Sequence, residues 1–481
     1  MILVCALLFS CATNDGAASG AAGGKPAVVD GQILGPDDRP YLALDLENDP
    51  IIGKWAAKYT FAQNPTFFGA PLITDNAAFG NIPEDIKARK TAAEELERQN
   101  RFLDAWKAYG EDDNEYIVAI KIMSLIEDWS DTMMHQMFVL SNLEPDQDLY
   151  EYRESANQTG EKIFYDPVEQ AEKWAAANGG VMPPIIELAL GCYYQDAALT
   201  FGDEWIMTQE DAYELSVEYF KKAIVAGVYN DYSLFKAVDS FLSAGYFNDG
   251  LEILHCLELG EPDYSFHFYQ EARAYMCKGE YQNAMPCAAR SIIYGTYVED
   301  IAASAQVLAD AFMYDSTDSE SALAVLDAVK PYIGETYFMG PVFMSLDILM
   351  YAKNRYPAAG YDERIMSELT DAFAWEYSDG DYLYELTDYF YNYGFIDLGI
   401  KWLNSIMQEY AREPLAYGNL NFELGQLYMQ IADYQNALDC FNAAETNLKA
   451  AGAFYPETSN IPYYQKQCRE QLIGSPKKNK A

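Results

Sequence analysis

Residues able to do chemistry are few and scattered. The three histidines are His135, His255 and His267. None lies in H-E-x-x-H, and none has a second histidine at helical spacing, so the pattern for a zinc hydrolase is absent. No G-x-S-x-G elbow positions a serine. A Ser-His-Asp or Cys-His site would have to be assembled by the fold alone. The stretch "DTMMHQM", Asp131 to Met137, carries soft ligands for a metal, but Met and His on an apolar helix face read first as core packing. Carboxylates cluster in "YDSTDSE", Tyr314 to Glu320, and "SDGDY", Ser378 to Tyr382. Neither has calcium-loop spacing, and both fall at hairpin turns. "GAAGGKP" misses a phosphate loop, with Ser19 and Pro26 where Gly and Ser or Thr are needed. Downstream of position 11 the cysteines are Cys192, Cys256, Cys277, Cys287, Cys440 and Cys468. They lack metal-ligand spacing and read as small buried fillers, although Cys277 and Cys287 lie within reach across one helical hairpin. The sequence points away from an enzyme and implies no cofactor and no metal.

Composition narrows the partners. The 32 basic against 74 acidic residues of this 481-residue chain leave a net charge of −42. Such a chain repels nucleic-acid phosphate and anionic lipid head groups, so nucleic acid is excluded and a membrane is reachable only through an anchor. The first eleven residues, "MILVCALLFSC", are too short to span a bilayer but long enough for the apolar core of a secretion signal. Leu8-Phe9-Ser10-Cys11 resembles a bacterial lipobox, which implies lipidation at Cys11. The Ala/Gly/Ser-rich residues that follow read as a tether over 12–40. These features imply a lipid-anchored protein of the bacterial cell envelope, facing the periplasm or the surface.

What positions side chains in this chain is a repeat. Leu234, Phe241, Gly245, Phe247, Gly250 and Leu254 are followed, 34 residues on, by Phe268, Tyr275, Gly279, Tyr281, Ala284 and Ala288. Leu424, Gly425, Tyr428, Ala432, Tyr434, Ala437, Phe441 and Ala444 keep the same internal spacing, as do Leu383, Leu386, Phe390, Gly394, Ile396, Gly399, Leu403 and Ile406. Apolar residues three, four and seven apart form one helix face. A Gly or Ala midway marks the turn of a helical hairpin. Small residues at facing positions let two helices approach, with Phe or Tyr filling the space beside them.

This pattern resembles the tetratricopeptide repeat family. The 34-residue period, the Leu-Gly-x-x-Tyr at Leu424–Tyr428 and again at Leu190–Tyr194, and the later Ala and Phe carry the resemblance. Ala432 stands where the turn usually has glycine. The resemblance implies an all-α array of stacked hairpins, an α-solenoid, over 181–470. An irregular segment with a helical cap or degenerate repeats over 41–180 precedes it, residues 32–80 pack on that cap, and a short tail over 471–481 follows. "NEYIVAIKIMSLIEDWSDTMMHQMFVLSNL", from Asn114, reads as one amphipathic helical stretch.

In this family the first helix of each hairpin lines the groove. Carried over by position, the groove candidates are Tyr232, Phe235 and Asp239, then Phe266, Tyr269, Arg273 and Met276, then Tyr384, Asp388, Tyr391, Phe422 and Gln426. Tyrosine offers rigid amphipathic contact area, and the chain has 39 of them. Arg273, the cation among these candidates, suits an anionic ligand or a partner's carboxylate. The resemblance therefore implies a non-enzymatic scaffold that binds protein or peptide. The other class it suggests is a small-molecule or glycan-binding lipoprotein serving a transporter, because the chain is similar in outline to tetratricopeptide lipoproteins of tripartite periplasmic transporters.

Overall fold

The computed structural model describes residues 27–29, 32–34, 46–69, 82–128, 137–138, 164–331, 333, 339–455 and 459–474. Cys11, the tail from Ser475, the near-miss phosphate loop and all of the Met/His stretch except Met137 lie outside the described residues.

Before the array come β1 (Ala27–Val29), β2 (Gln32–Leu34), α1 (Ile52–Ala56), α2 (Glu84–Glu97), α3 (Phe102–Tyr109), α4 (Glu115–Asp128), β3 (Met137–Phe138), β4 (Phe164–Tyr165) and α5 (Pro167–Ala177). Two of these differ from the sequence reading. Within the stretch read as a tether, β1 and β2 pair antiparallel, with Ala27 opposite Leu34. Aliphatic residues flanking an Asp-Gly pair are a hairpin signal that outweighs the small-residue composition. The long helix read from Asn114 ends at Asp128, and β3 pairs antiparallel with β4 instead of continuing it.

The array follows as seven helical hairpins and a closing helix. They are α6 (Pro184–Phe201) with α7 (Gln209–Val225), α8 (Asp231–Ser243) with α9 (Phe247–Leu257), and α10 (Ser265–Cys277) with α11 (Tyr281–Tyr294). Next come α12 (Val298–Ser316) with α13 (Ser319–Val329), α14 (Met339–Arg355) with α15 (Asp362–Trp375), α16 (Gly380–Tyr393) with α17 (Ile396–Ile406), and α18 (Pro414–Gln430) with α19 (Tyr434–Ala450). The closing helix, α20 (Ile461–Gly474), packs on α19 and covers the last apolar face. At the other end α4 lies against α6.

Local signals set the helix starts. The Asn230 and Ser233 side chains cap each other's backbone N–H at the start of α8. Thr208, Asp318 and Asp433 each accept from a backbone N–H three residues on, at α7, α13 and α19. Gly245, Gly279 and Gly394 end first helices at φ of +80°, +71° and +72°. Ala432 takes the same left-handed conformation at φ +59°, at an energetic cost that glycine would not carry.

The small residues of the repeat sit against rings. A methyl group built on Gly425 would come within 2.8 Å of Phe441, and one on Gly191 within 2.9 Å of Phe220. The first helix can approach the second only because the side chain is missing.

Two large apolar bodies fill most of the interior, with smaller clusters at the α2–α4 end and in the α19/α20 terminal core. One runs from α3 and α4 through α6–α9, the other mainly through α11–α18. They meet at α10, which gives Ala272 to the second and Ala274 to the first. The segment Leu46–Gly69 crosses that boundary, with Leu46, Ile52 and Ala56 in the second body and Phe67 in the first. Its α1 packs on α11. Trp55 meets Phe312 edge-on at 5.9 Å, Tyr59 meets Phe268 at 5.0 Å, and Phe68 stacks on Phe241 at 5.6 Å. This segment therefore packs on the repeats rather than on the cap expected from the sequence. Its spaced aromatic residues fill apolar gaps along successive hairpins.

Among the described residues none of the six downstream cysteines forms a disulfide. Cys192, Cys256, Cys287 and Cys468 are buried as expected, whereas Cys277 is exposed and Cys440 half-buried. Among the described residues no helix is long and apolar enough to cross a membrane.

Candidate functional site

Successive first helices pack side by side, α6 on α8, α10 on α12, α12 on α14 and α16 on α18, so their side chains form one layer. The sequence-derived candidates fall in this layer as two groups.

The first group spans α6, α8 and α10. Gln195 Nε2 donates to Asp239 Oδ2 at 3.0 Å, and Lys236 Nζ donates to Gln195 Oε1 at 3.2 Å. Lys236 also pairs with Asp196 and lies 5.0 Å over the exposed Tyr232 ring. Burial alone would lower the Lys236 ammonium, but the Asp196 carboxylate carries it above its ordinary value. Burial raises Asp239 against the pull of Gln195, Arg273 and Lys236. On α10, Arg273 donates to Gln270 Oε1 at 3.1 Å and lies 5.8 Å over Tyr269. Arg273 is therefore not the lone cation of the site, since Lys236 stands one helix away.

Phe235 and Phe266 meet at 5.2 Å, and Phe235 stacks on the fully buried His267 at 5.6 Å. With Tyr264, Phe235 borders an open recess of about 410 Å³ whose other walls are Glu261, Pro262 and Asp263. Burial pushes the His267 imidazole down to about 4, so it is neutral near pH 7. Met276 packs against the second apolar body.

The second group spans α16, α18 and α20. Glu423, 3% exposed, accepts from Thr387 Oγ1 at 3.1 Å and from Gln426 Nε2 at 2.9 Å. Burial pushes its carboxyl up to about 7 against those two hydrogen bonds. The Tyr391 hydroxyl is buried with no hydrogen-bond partner, and burial followed by the Glu423 charge raises it well above the ordinary phenol range. Asp388 accepts from Asn392 Nδ2 at 2.6 Å. Tyr384 stands exposed, and Phe422 packs 6.0 Å from both Phe441 and Tyr464. Phe422 is thus shared between the layer and the terminal core.

Between the groups, α12 and α14 bring Asp310 and Asp347 together. Burial, and then the Asp347 charge, pushes Asp310 up to about 6. Sequence reasoning missed these two, as well as Gln195, Asp196, Lys236 and Glu423. A signal was present for some of them. Lys236, Gln270 and Glu423 each lie nine residues before their turn residue, Gly245, Gly279 and Ala432. A polar side chain therefore recurs at one repeat position.

Among the described residues no group of His, Cys, Asp and Glu is arranged to hold a metal ion. Nor does the layer join a nucleophile to a base. Its chemistry is that of hydrogen bonding, aromatic contact and charge.

No protein-family model and no curated protein matches the sequence. Three solved structures are similar in outline. The P58(IPK) TPR domain is 11% identical, spanning 82% of this chain and 99% of its own, with a TM-score of 0.20. The Rap protein complexed with competence and sporulation factor is 11% identical over 81% and 99%, with a TM-score of 0.32. Cut9, in the APC/C hetero-tetramer Cut9-Hcn1, is 12% identical over 82% and 74%, with a TM-score of 0.26. Overlaps this low say nothing of function. By the packing of its own hairpins, the chain has the all-α architecture of a tetratricopeptide-like array.

Proposed function

We propose that this chain is a non-enzymatic scaffold that holds an extended protein or peptide segment along the layer of first helices. The observation that carries the reading is the composition of that layer. Lys236 and Arg273 lie at one end, the neighbouring Asp310 and Asp347 carboxylates at the middle, and Tyr384, Tyr391 and Glu423 at the other. Spaced polar groups of both signs, with exposed tyrosines among them, match an extended chain, whose peptide groups and side chains need partners at intervals. The recess beside Phe235 is open, which suits a passing side chain better than an enclosed small molecule. Repeat arrays offer surfaces of this length without requiring catalysis. The acidic chain favours partner segments carrying positive charge outside the Lys236–Arg273 end. Lipidation at Cys11 and an envelope address belong to the same reading and rest on the N-terminal sequence alone.

Tyr232 and Tyr384 are exposed, so replacing both with Ala should leave the melting temperature unchanged. Retention on an array of extended peptides should weaken about tenfold or more, the loss expected for two aromatic contact residues. Equal retention by wild type and variant would refute the groove. Labelling with a fatty-acid analogue should be lost in Cys11→Ala, and persistent labelling would refute the anchor.

A further inference from the structure

The Leu46–Gly69 segment covers a polar seam where the two apolar bodies meet. Glu258, at the end of α9, and Glu271, within α10, are each 1% exposed. Tyr59 Oη lies 2.5 Å from Glu258 Oε1 and 2.8 Å from Glu271 Oε2. These residues are 199 and 212 positions apart in the chain from Tyr59. A phenol has one hydrogen to donate. With both carboxylates charged, one of these two contacts would set lone pairs against lone pairs. Both close only when a carboxyl proton fills the second.

Every element around the pair contributes a group to its balance. From α9, His255 Nε2 stands 2.9 Å from Glu271 Oε1. From α10, the Tyr275 hydroxyl, kept protonated by burial and the Glu271 charge, and the neutral His267 lie nearby. From α11, Cys287 Sγ lies 3.4 Å from Glu271 Oε2, its thiol held in the neutral form by burial and by the Glu271 charge. Arg290, also on α11, is the permanent cation. Its guanidinium is boxed by rings, 5.3 Å from Tyr59 and 4.8 Å from each of Phe61, Phe268 and Tyr294. Two of those four rings belong to the crossing segment, so lifting it would also open the box around Arg290. Burial, and after it the charge of Glu271, holds the Glu258 carboxyl well above the usual carboxylate range.

We propose that Leu46–Gly69 is a proton-dependent clasp, which joins the α8/α9 and α10/α11 hairpins while Glu258 and Glu271 share a proton beneath Tyr59 and lifts when both are charged. The clasp is independent of the groove. A carboxyl raised in the seated state favours seating most below its ordinary pKa. That contribution is lost as pH rises through the raised value.

The test is hydrogen exchange of the full chain, corrected for intrinsic rates, from about pH 5 to about pH 9. Peptides within 46–69 should lose protection by up to about tenfold per pH unit, the slope of one linked proton, while α16–α19 keep theirs. Glu258→Gln is neutral at every pH and still donates to Tyr59, so its profile should be flat. Tyr59→Phe should raise exchange about tenfold across the range, the loss of one hydrogen bond to a carboxyl. Should Glu258→Gln fail to fold, Glu271→Gln should lessen the slope, since it removes the charge that adds to burial in raising Glu258, and an unchanged slope would count against the clasp. A flat wild-type profile, or an equal slope in the glutamine variant, would overturn the clasp.

Discussion

Gly425→Ala tests the packing rule of the whole array through the sign of its effect. In an exposed helix interior, replacing Gly with Ala gains about 1 kcal/mol, because alanine loses less backbone entropy. Here the added methyl would lie 2.8 Å from Phe441 Cε1 and 3.0 Å from Cδ1 and Cζ. The ring has little room to retreat. It is fully buried, Tyr464 stacks on it at 5.3 Å with planes 12° apart, and Phe422 lies 6.0 Å away. Overpacking of this kind costs about 1–3 kcal/mol, so α18/α19 should lose about 1 kcal/mol net where propensity alone promises a gain. Phe441→Leu leaves a hole and costs about 2 kcal/mol alone. In the double variant the methyl occupies part of that hole, giving a favourable coupling of about 1 kcal/mol. Because a repeat array can open locally, the readout is exchange protection of amides in α18 and α19, with α6 and α7 as an internal reference. Stabilisation by Gly425→Ala, or strict additivity of the two changes, would refute close approach as the reason for glycine.

Further outcomes follow from single contacts. Ala432→Gly should raise the stability of the α18/α19 hairpin by about 1 kcal/mol in denaturant melts, since it relieves a left-handed alanine at φ +59°. Lys236→Met should cost about 2 kcal/mol by stranding the Asp196 carboxylate, and adding Asp196→Asn should recover most of the loss in a thermal melt. Glu423 is raised to about 7 in the fold, so its contribution is full below about 4.5 and is lost as pH climbs through 7. Glu423→Gln should remove that decline from a pH series of melts.

The repeats were legible because their signal is redundant. Leu234 and Phe268, or Gly245 and Gly279, state the same geometric requirement one period apart, and an error at one position is corrected at the next. Even Ala432 fits the pattern, because the hairpin turn fixes its backbone against the residue's own preference. Tyr232, Asp239, Tyr269, Tyr384 and Tyr391 were placed on first helices by repeat position for the same reason. What escaped depends on contacts between repeats. Lys236 is defined by Asp196 on the preceding hairpin, and Asp310 by Asp347 on the following one. Neither partner is implied by the pattern within one unit. Nothing periodic announces Leu46–Gly69 either. Its aromatic residues match gaps set by the hairpins rather than any spacing of their own.

That segment also adds contacts at a junction that carries buried charge. Stability in stacked repeats is close to a sum of unit and nearest-neighbour terms, so the weakest junction decides where the array parts. Between α9 and α10 two buried carboxylates sit beside the apolar core, a pairing that Leu or Ile would outperform. The crossing segment makes up the difference with contacts that no hairpin supplies. Phe68 stacks on Phe241 and donates its backbone N–H to Glu252 at 2.7 Å on one side. Ile52 and Trp55 pack on the other. One short piece of chain therefore touches both bodies, and the Tyr59 hydroxyl is its polar contact at their boundary. A seam built from apolar residues would be tighter but indifferent to its surroundings. On the proposed clasp, a seam of two carboxylates under a phenol depends on one proton, and that dependence places this junction under chemical control.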